Sequence, residues 1–520
     1  MLKNPYFKIM GAAKTMLQMS KVIQSRDEWK NKAIKRSAEI REYRKTQKRH
    51  LAKIAEFKQR NREVQQTIDR KAPLIPVATP ANKTTETAKS ASIVYLSDAQ
   101  QLRVLCVLLT IDAVVSYRSV PRILELFKRV TPFEIAWIPH FTSVINWTLR
   151  LGLGLLKQVK PISNRWVAVI DHSIDIGTKK ALVVLRIDIA TLAARGSAIQ
   201  LEDCECIGLK ISEKVTGNTL LPELEEIFAQ AGRPEAIIKD ADATLNKGVR
   251  LWSEKQEKPV HTIEDIGHAM ANALKSQFEK TAAYKNFTAL VSHGAKCLRQ
   301  TDLAFLIPPK LRSKGRFQSI SNLGKWGEKM LDVFAVKGCA KSFNLLNKLR
   351  TAFPDFLGSR DFIERFALTT TTVSQVMEIL KNRGLNKVTY KQCYELSKEL
   401  PKNSEVKKRL QDWLQRHINI QEDIVSLPLL VSSDIIESLF GNFKHIIARS
   451  PQADMNRTAL LIPALCGRLD DTVINQALSQ ASHLDLEQWE ETNIPYTVRK
   501  KRQDFFRKYS SQKAGQHNSG

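Results

Sequence analysis

The sequence predicts an α/β domain built on a mixed sheet, preceded by helical segments and interrupted by a long helical stretch. Between residues 166 and 280, short runs rich in Val and Ile alternate with segments of helical spacing, which is typical of strands packed against helices. A basic stretch from about 282 to 422 has helical character, and an amphipathic helix follows it. At 520 residues with 43% hydrophobic side chains, the chain is globular and long enough for several domains.

The charge balance points to a polyanionic partner. Lys and Arg number 81 against 53 Asp and Glu, for a net charge of +28, and nucleic acid is the commonest partner of so basic a chain. An anionic membrane fits less well, because the basic residues are spread along the chain rather than placed beside an apolar anchor. The longest apolar stretch, residues 104–115, is short and contains Asp112, and the first residues lack the apolar core of a signal peptide, so no membrane partner is expected.

The cysteines favour a reducing compartment. There are seven, an odd number, and none stands in a CxxC pair, which argues for reduced thiols and against a zinc site. Cys204 and Cys206 have the two-residue spacing of one face of a strand rather than that of metal ligands. The expected localisation is therefore cytoplasmic, with association with the nucleoid if the protein is bacterial.

Residues 1–70 predict a basic helical or coiled-coil region. They hold 19 Lys and Arg against 7 Asp and Glu. From Trp29 two seams of a heptad repeat are mostly apolar, which suits a long helix paired with a partner, and Gln47 and Asn61 would fix its register. A lone basic helix that becomes ordered on DNA explains these residues equally well. Residues 71–92, with three prolines and no periodicity, predict a linker.

Residues 93–160 predict three short helices. The first is capped by Ser97 and runs to about Val115, the second spans about 119–130 with Pro121 in its first turn, and the third follows Pro139. With a basic third element they predict a helix-turn-helix-like DNA-binding domain, whose last helix would enter the major groove. A small helical bundle that does not bind DNA is the alternative.

Residues 161–281 predict the first part of the α/β core. Three strands are expected at 166–170, 181–187 and 206–215, a fourth at 235–239, and a fifth that leads into the helix of PVHTIEDIGHAMANALK. Helices are expected at 220–231 and from Thr244. Together these elements make a mixed sheet, and Asp171 and Asp240 end two of its strands. Because Asp is frequent in turns, two such acids can also arise by chance.

A third acid comes far downstream. The stretch LPLLVSSDIIESLFGNFKHII, within residues 423–450, places Asp434 and Glu437 at the start of an amphipathic helix. Asp434 as N-cap with Glu437 three residues later is close to a capping box, which is the purely structural alternative. Because Asp171 and Asp240 already end two strands, the helix can instead bring a third carboxylate to the same edge of the sheet. Residues 451–520 follow as a basic helical tail.

This order of acids resembles the DDE transposases, whose catalytic core has the ribonuclease H-like fold. The acids are 69 residues apart from Asp171 to Asp240 (240 − 171) and 197 apart from Asp240 to Glu437 (437 − 240). The long second interval is similar to the branch with an all-helical insertion, the Mutator-like and hAT-like transposases, here of bacterial insertion-sequence type, and residues 282–422 would be that insertion. The stretch Asp265-Ile-Gly-His268 matches a motif of this branch, Cys or Asp followed by His three positions later. The resemblance covers roughly residues 166–450.

The resemblance implies an enzyme that cuts DNA at transposon ends and joins the freed 3′ ends to target DNA. Asp171, Asp240 and Glu437 would be its catalytic residues and would bind two Mg²⁺ ions, for which Mn²⁺ would substitute, with Asp171 bridging both. His268 and Asp265 would support the site. Double-stranded DNA is the implied partner, no small-molecule substrate is implied, and pairing two transposon ends implies a homo-oligomer on DNA.

Neighbouring residues compete for these roles. Asp175 is expected to be a solvated turn acid, and Asp242 to cap the helix before Thr244, which makes it the second choice for the site. Asp434 is the alternative to Glu437. His172 is expected on the opposite side of the strand from Asp171, and so outside the site.

Two basic segments are candidates for DNA contacts. Lys310, Arg312, Lys314 and Arg316 lie in a loop after two prolines and would suit phosphate contacts, although an ordinary solvated loop has the same composition. Residues 499–502 form a basic run that would add salt-dependent affinity or lie disordered. Two other functions stay open: a transposase-derived DNA-binding protein without catalytic activity, and a ribonuclease H-like nuclease that cuts without strand transfer.

Overall fold

A computed structural model describes residues 98–130, 135, 137–162, 165–172, 179–310, 317, 320–335, 340–424, 428–448, 456–497 and 500–507. The chain divides into two units, Met1–Ile93 and Val94–Gly520, and every described residue belongs to the second. The predicted heptad seams and linker lie outside the described residues, as does Asp175.

Three helices precede the sheet: α1 (Asp98–Ile111), α2 (Ser119–Val130) and α3 (Phe141–Lys157). All three were expected, but the first ends at Ile111 rather than near Val115. Val114 has a φ of 50°, and a left-handed backbone at this position is incompatible with a continuing right-handed helix.

The sheet and its connecting helices follow in alternation. The strands are β1 (Trp166–His172), β2 (Lys180–Asp188), β3 (Glu205–Ser212), β4 (Ala236–Lys239) and β5 (His261–Glu264). The helices are α4 (Ile189–Arg195), α5 (Gly217–Ala231), α6 (Ala243–Glu254) and α7 (Ile266–Phe278). The strand order is β3-β2-β1-β4-β5.

The sheet is mixed, as its sequence pattern predicts. β1, β2 and β3 pair antiparallel, whereas β1 with β4 and β4 with β5 pair parallel. This arrangement is compatible with a ribonuclease H-like core. β1 is longer than expected, because Asp171 and His172 still pair with Val183 and Leu182 of β2. Asp171 therefore lies within the strand instead of just beyond it.

Alternation along the strands divides the core into two parts. One face of the sheet carries Ala168, Ile170 and Ile237, which pack with side chains of α5 and α6 such as Leu224 and Trp252. The other face packs into a larger core that is shared with helices before and after the sheet. Side chains at odd positions of β1, including Val167 and Val169, belong to this larger core.

Most described residues after the sheet are helical. The helices are α8 (Ala282–Leu298), α9 (Ser321–Ala335), α10 (Ala340–Ala352), α11 (Arg360–Arg383), α12 (Lys387–Lys398), α13 (Glu405–Ile424), α14 (Asp434–Ile447), α15 (Leu461–Ala464), α16 (Asp471–Gln480) and α17 (His483–Asn493). Short 3₁₀ turns join some of them, and one isolated bridge links Leu385 with Leu429. α14 returns to the sheet and contacts β1.

Helix α3 lies in the core, whereas the sequence analysis expected it to enter a DNA groove. Residues 147–149 and 151–154 of this helix are buried, and it packs against α1, α15, α16 and β3. A side chain at Gly152 or Gly154 would collide with backbone, since an added Cβ would lie 1.7 Å from the Leu460 carbonyl oxygen or 2.0 Å from that of Ala477. These close contacts cover the second half of α3 with other parts of the protein, whereas Thr142 in its first turn is exposed.

The described residues also bear on two other sequence features, the cysteines and the apolar stretches. The cysteines that the structure describes are free thiols, and those at 106, 204, 206, 393 and 466 are buried. Over the same part of the chain, no helix is both long enough and apolar enough to cross a membrane.

Candidate active site at the sheet edge

Three neighbouring strands carry an acid at the same edge of the sheet. In the parallel register Ile170 lies beside Lys239, and Lys239 beside Glu264. The next position on each strand is Asp171, Asp240 and Asp265 respectively. Because Val169, Ile238 and Ile263 belong to the larger core and side chains alternate, the three acids belong to the same face, toward α7 and α14.

Asp171 is the acid whose ionisation is most strongly disfavoured. Burial raises the pKa of its carboxyl group to about 7, and the negative charge of Asp240 and, less, that of Glu437 act in the same direction. The backbone N–H of His172, which donates to Oδ1 at 2.6 Å, and the charge of His268 oppose this shift. A partly buried carboxylate with two acidic neighbours favours a cation beside it.

Asp240 follows β4 directly, and Asp242 has the capping role expected of it. Oδ1 of Asp240 accepts the backbone N–H of Asp242 at 3.0 Å. The exposed Asp242 caps α6, where its Oδ1 accepts the N–H groups of Thr244 and Leu245 at 2.8 and 3.1 Å. The carboxylate of Asp242 is thus engaged in holding its own helix.

Asp265 holds two helix starts together. Its side chain is 2% exposed, and Oδ1 accepts the backbone N–H of His268 at 2.7 Å. Oδ2 accepts both the backbone N–H and the hydroxyl of Ser433, at 2.7 and 3.0 Å. Burial alone would raise the pKa of Asp265, but these hydrogen bonds and the charge of His268 outweigh it and hold the pKa below its ordinary value. Asp265 is therefore a charged anchor between α7 and α14.

His268 bridges Asp265 and Glu437. Its Nδ1 lies 3.1 Å from Oδ1 of Asp265, and its Nε2 lies 3.8 Å from Oε1 of Glu437. The hydrogen bond to Asp265 raises the pKa of His268 to about 9 despite partial burial, and the charges of Asp265, Asp240 and Glu437 add to the rise. At neutral pH the ring is an imidazolium that partly compensates the surrounding carboxylates.

Glu437, in the first turn of α14, faces the site, and Asp434 does not share its position. Burial raises the pKa of Glu437, and the positive charges of His268 and Lys381 oppose that rise. Asp434 is ion-paired with Lys381. The capping-box alternative is not formed, because the N-cap of α14 is Ser433 and its side chain makes no capping hydrogen bond.

The remaining predicted residues lie elsewhere or outside the described part of the chain. His172 lies next to Asp171 on the strand and therefore belongs to the opposite face, where burial lowers its pKa to about 4. Lys310 is described and exposed, whereas Arg312, Lys314 and Arg316 lie outside the described residues. Of the four basic residues predicted for this loop, the structure therefore describes only Lys310.

Two residues of the site escaped the sequence analysis. Ser433 supplies two of the hydrogen bonds to Asp265, and Lys381 brings a cation from α11 to within 2.5 Å of Asp434. Serine before a helix is a capping signal, so Ser433 had a visible marker. Lys381 had none, since it is one of many lysines on a basic helical stretch.

The acids supply the ligand chemistry of a Mg²⁺ site, although they do not form a compact set of three. Mg²⁺ prefers carboxylate oxygens, keeps several waters and is commonly bound through one or two carboxylates with substrate phosphates. Asp171 and Asp240, on adjacent parallel strands, match that requirement. Over the described residues, however, no three His, Cys, Asp or Glu side chains stand close enough together to hold a metal ion by themselves. Glu437 instead faces His268.

Comparisons with known proteins add a distant structural likeness. No family model matches the chain, and no curated protein sequence does. Among solved structures, the chain is similar to the Drosophila P element transposase strand transfer complex, with a TM-score of 0.38 and 12% sequence identity, over 76% of this chain and 95% of that chain. A likeness at this level carries no argument about function, so the function of this chain has to be inferred from its own sheet and site.

Proposed function

We propose that the chain is a DNA transposase that cleaves phosphodiester bonds at transposon ends and joins the freed 3′ ends to target DNA. The proposal rests mainly on one observation. Asp171 and Asp240 lie at the same edge of two adjacent strands, and the charges of His268 and Glu437, which pair with each other, act on Asp171. Asp171 and Glu437 are 266 positions apart (437 − 171), yet the charge of Glu437, with those of Asp240 and His268, acts on the ionisation of Asp171. The mixed sheet and the net charge of +28 support the same function.

The proposed chemistry consists of two in-line displacements at phosphorus. In cleavage, a water oxygen forms a bond to phosphorus as the bond to the 3′ oxygen breaks, and a proton passes from the water to the leaving oxygen. In joining, the freed 3′ hydroxyl attacks a target phosphodiester, one P–O bond forms as another breaks, and the hydroxyl proton passes to the displaced strand. Neither step requires a covalent protein–DNA intermediate.

The site residues have distinct roles in this proposal. Asp171, Asp240 and Glu437 would hold Mg²⁺, with Mn²⁺ as a substitute, and the bound ions would activate the attacking oxygen and stabilise the leaving one. His268 orients Glu437 and offsets its charge, while Asp265 fixes the ring of His268 through its other nitrogen. The substrate is double-stranded DNA, and the pairing of two ends requires a homo-oligomer. Lys310, Arg312, Lys314 and Arg316 remain proposed phosphate contacts.

The test uses DNA that flanks the coding sequence in its source genome, because a transposon's ends lie there. With Mn²⁺, wild-type protein should cut such a plasmid and insert the cut ends into a second plasmid. Asp171→Asn, Asp240→Asn and Glu437→Gln should each lose at least about 100-fold in cleavage rate. Asp242→Asn is the matched control, since it removes a neighbouring charge while Asn still caps α6.

Each alternative function predicts a different outcome. A DNA-binding protein without catalytic activity would bind the flanking DNA, cut nothing, and bind equally well in all four variants. A nuclease without strand transfer would cut the first plasmid and give no insertion. Full cleavage by Asp171→Asn and Asp240→Asn would place the active site somewhere else.

A further inference from the structure

Lys381 belongs to the helical stretch between the two parts of the core, and its ammonium group lies beside the site. It lies in the last turn of α11, and its Nζ is 2.7 Å from Oδ1 and 2.5 Å from Oδ2 of Asp434. A methyl group added at Gly267, in the first turn of α7, would lie 3.5 Å from the same Nζ. The ammonium group is therefore placed between the starts of α7 and α14, beside the residues that hold His268 and Glu437.

The negative charge of the site favours a cation such as this lysine beside a bound phosphate. A DNA phosphate that enters brings negative charge toward Asp171, Asp240 and Glu437, and a positively charged side chain within reach of that phosphate would offset part of the repulsion. His268 and Lys381 are the two cations that lower the pKa of Glu437. Of these, His268 is held on both sides, by Asp265 and by Glu437, whereas Lys381 pairs with Asp434, whose side chain is more exposed than either of those partners.

The pairing with Asp434 is weak enough to be exchanged. The Lys381 side chain is 26% exposed and that of Asp434 is 52% exposed. Ion pairs that are open to solvent contribute little to stability, because water competes for both charges. Moving the ammonium from Asp434 to a phosphate oxygen, which is an equally good acceptor, therefore costs little.

We propose that Lys381 binds a phosphate of the DNA strand at the cleavage site, and that Asp434 holds its ammonium group when DNA is absent. This inference rests on the function proposed above and adds a substrate contact to it. It also gives the helical stretch a part in the reaction, because α11 then contributes a side chain to the substrate.

The experiment compares three substitutions with a matched control. Lys381→Met keeps the aliphatic part of the side chain and removes the charge, Lys381→Arg keeps the charge, and Asp434→Asn removes the ion pair while leaving the lysine. Lys387→Ala is the control, because Lys387 on α12 also makes an exposed ion pair, with Glu422 at 3.2 Å. Cleavage of the flanking DNA is followed with Mn²⁺, and binding is measured with Ca²⁺ over a range of salt concentrations.

Lys381→Met should slow cleavage at saturating DNA by at least about 10-fold and reduce the slope of log affinity against log salt by about 1, as expected for one lost phosphate contact. Lys381→Arg, Asp434→Asn and Lys387→Ala should stay within about threefold of wild type in cleavage. If Asp434→Asn is as slow as Lys381→Met, the lysine serves only the ion pair and the inference is wrong. An unchanged rate and salt slope in Lys381→Met would also overturn it.

Failure of the proposed function gives a separate signature. If wild-type protein binds DNA but never cuts it, the transposase proposal fails, and the salt slope of Lys381→Met still decides whether this lysine contacts phosphate. Where Lys381→Met does not fold, Lys381→Gln replaces it in both measurements.

Discussion

The carboxylate of Asp265 accepts the backbone N–H of Ser433 at 2.7 Å, although 168 positions separate the two residues in the chain. The other oxygen of the same carboxylate accepts the N–H of His268 at 2.7 Å. One buried side chain thus fixes the start of α14 against the start of α7. Glu437, one turn into α14, is held relative to His268 by the same contact.

Removal of the Asp265 carboxylate should destabilise the fold. Asp265→Ala leaves the N–H and hydroxyl of Ser433 and the N–H of His268 without their acceptor in a buried place, which costs about 3 kcal/mol or more. Urea unfolding at pH 7.5 measures the loss. Asp242→Asn, an exposed cap replaced by another capping residue, should change the free energy of unfolding by less than about 0.5 kcal/mol. A loss below about 1 kcal/mol in Asp265→Ala would contradict the anchoring role.

His268 should titrate near pH 9, far above an ordinary histidine. Its pKa is raised from 6.5 to about 9 by Asp265 first of all, so the imidazolium stabilises the folded state fully below pH 6.5. That contribution is lost as the pH rises through 9. NMR titration of the histidine rings checks the value, and Asp265→Asn should move it back toward 6.5. A ring that titrates at or below 6.5 in wild-type protein would contradict the bridging geometry.

Asp171→Asn should stabilise the protein when divalent cations are absent. The pKa of Asp171 is raised from 3.8 to about 7, so ionisation of this group reduces stability as the pH rises from about 4 to 7, and the loss persists above 7. In EDTA at pH 8 the variant should gain about 1–3 kcal/mol in free energy of unfolding, and at pH 3.5 the gain should vanish. Mn²⁺ should then stabilise wild type and leave Asp171→Asn unchanged; equal stabilisation of both would argue against Asp171 as a ligand.

Gly152→Ala should disrupt the core rather than DNA binding. Its Cβ would lie 1.7 Å from the carbonyl oxygen of Leu460, and overlap with backbone forces α3 away from the 3₁₀ turn that precedes α15, with a loss of about 3 kcal/mol or more. Gly441→Ala in α14 is the control, since nothing lies within 4 Å of its added Cβ, and it should gain about 0.5–1 kcal/mol. A thermally stable Gly152→Ala protein with weakened DNA affinity would favour the DNA-reading role that the sequence analysis expected for this helix.

The sequence by itself determined the local elements and the position of the strand-end acids. Runs of Val and Ile between turn residues predicted all five strands, because a strand's side-chain alternation and β-branched content are local properties. The same reasoning placed Asp171 and Asp240 at one end of two strands. It also placed Asp434 and Glu437 in the first turn of α14, since the apolar period that begins there is visible in the 14 residues of this helix.

Only the tertiary structure decided what those elements face. The rotation of α14 about its axis directs Glu437 to His268 and Asp434 to Lys381, and contacts with residues far away in the chain set that rotation. For the same reason the second half of α3, a helix that is basic and aromatic in sequence, is packed largely against other helices. The periodicity of a helix predicts which of its residues share a face. The partner of that face is set by packing, which depends on all the elements of the core together.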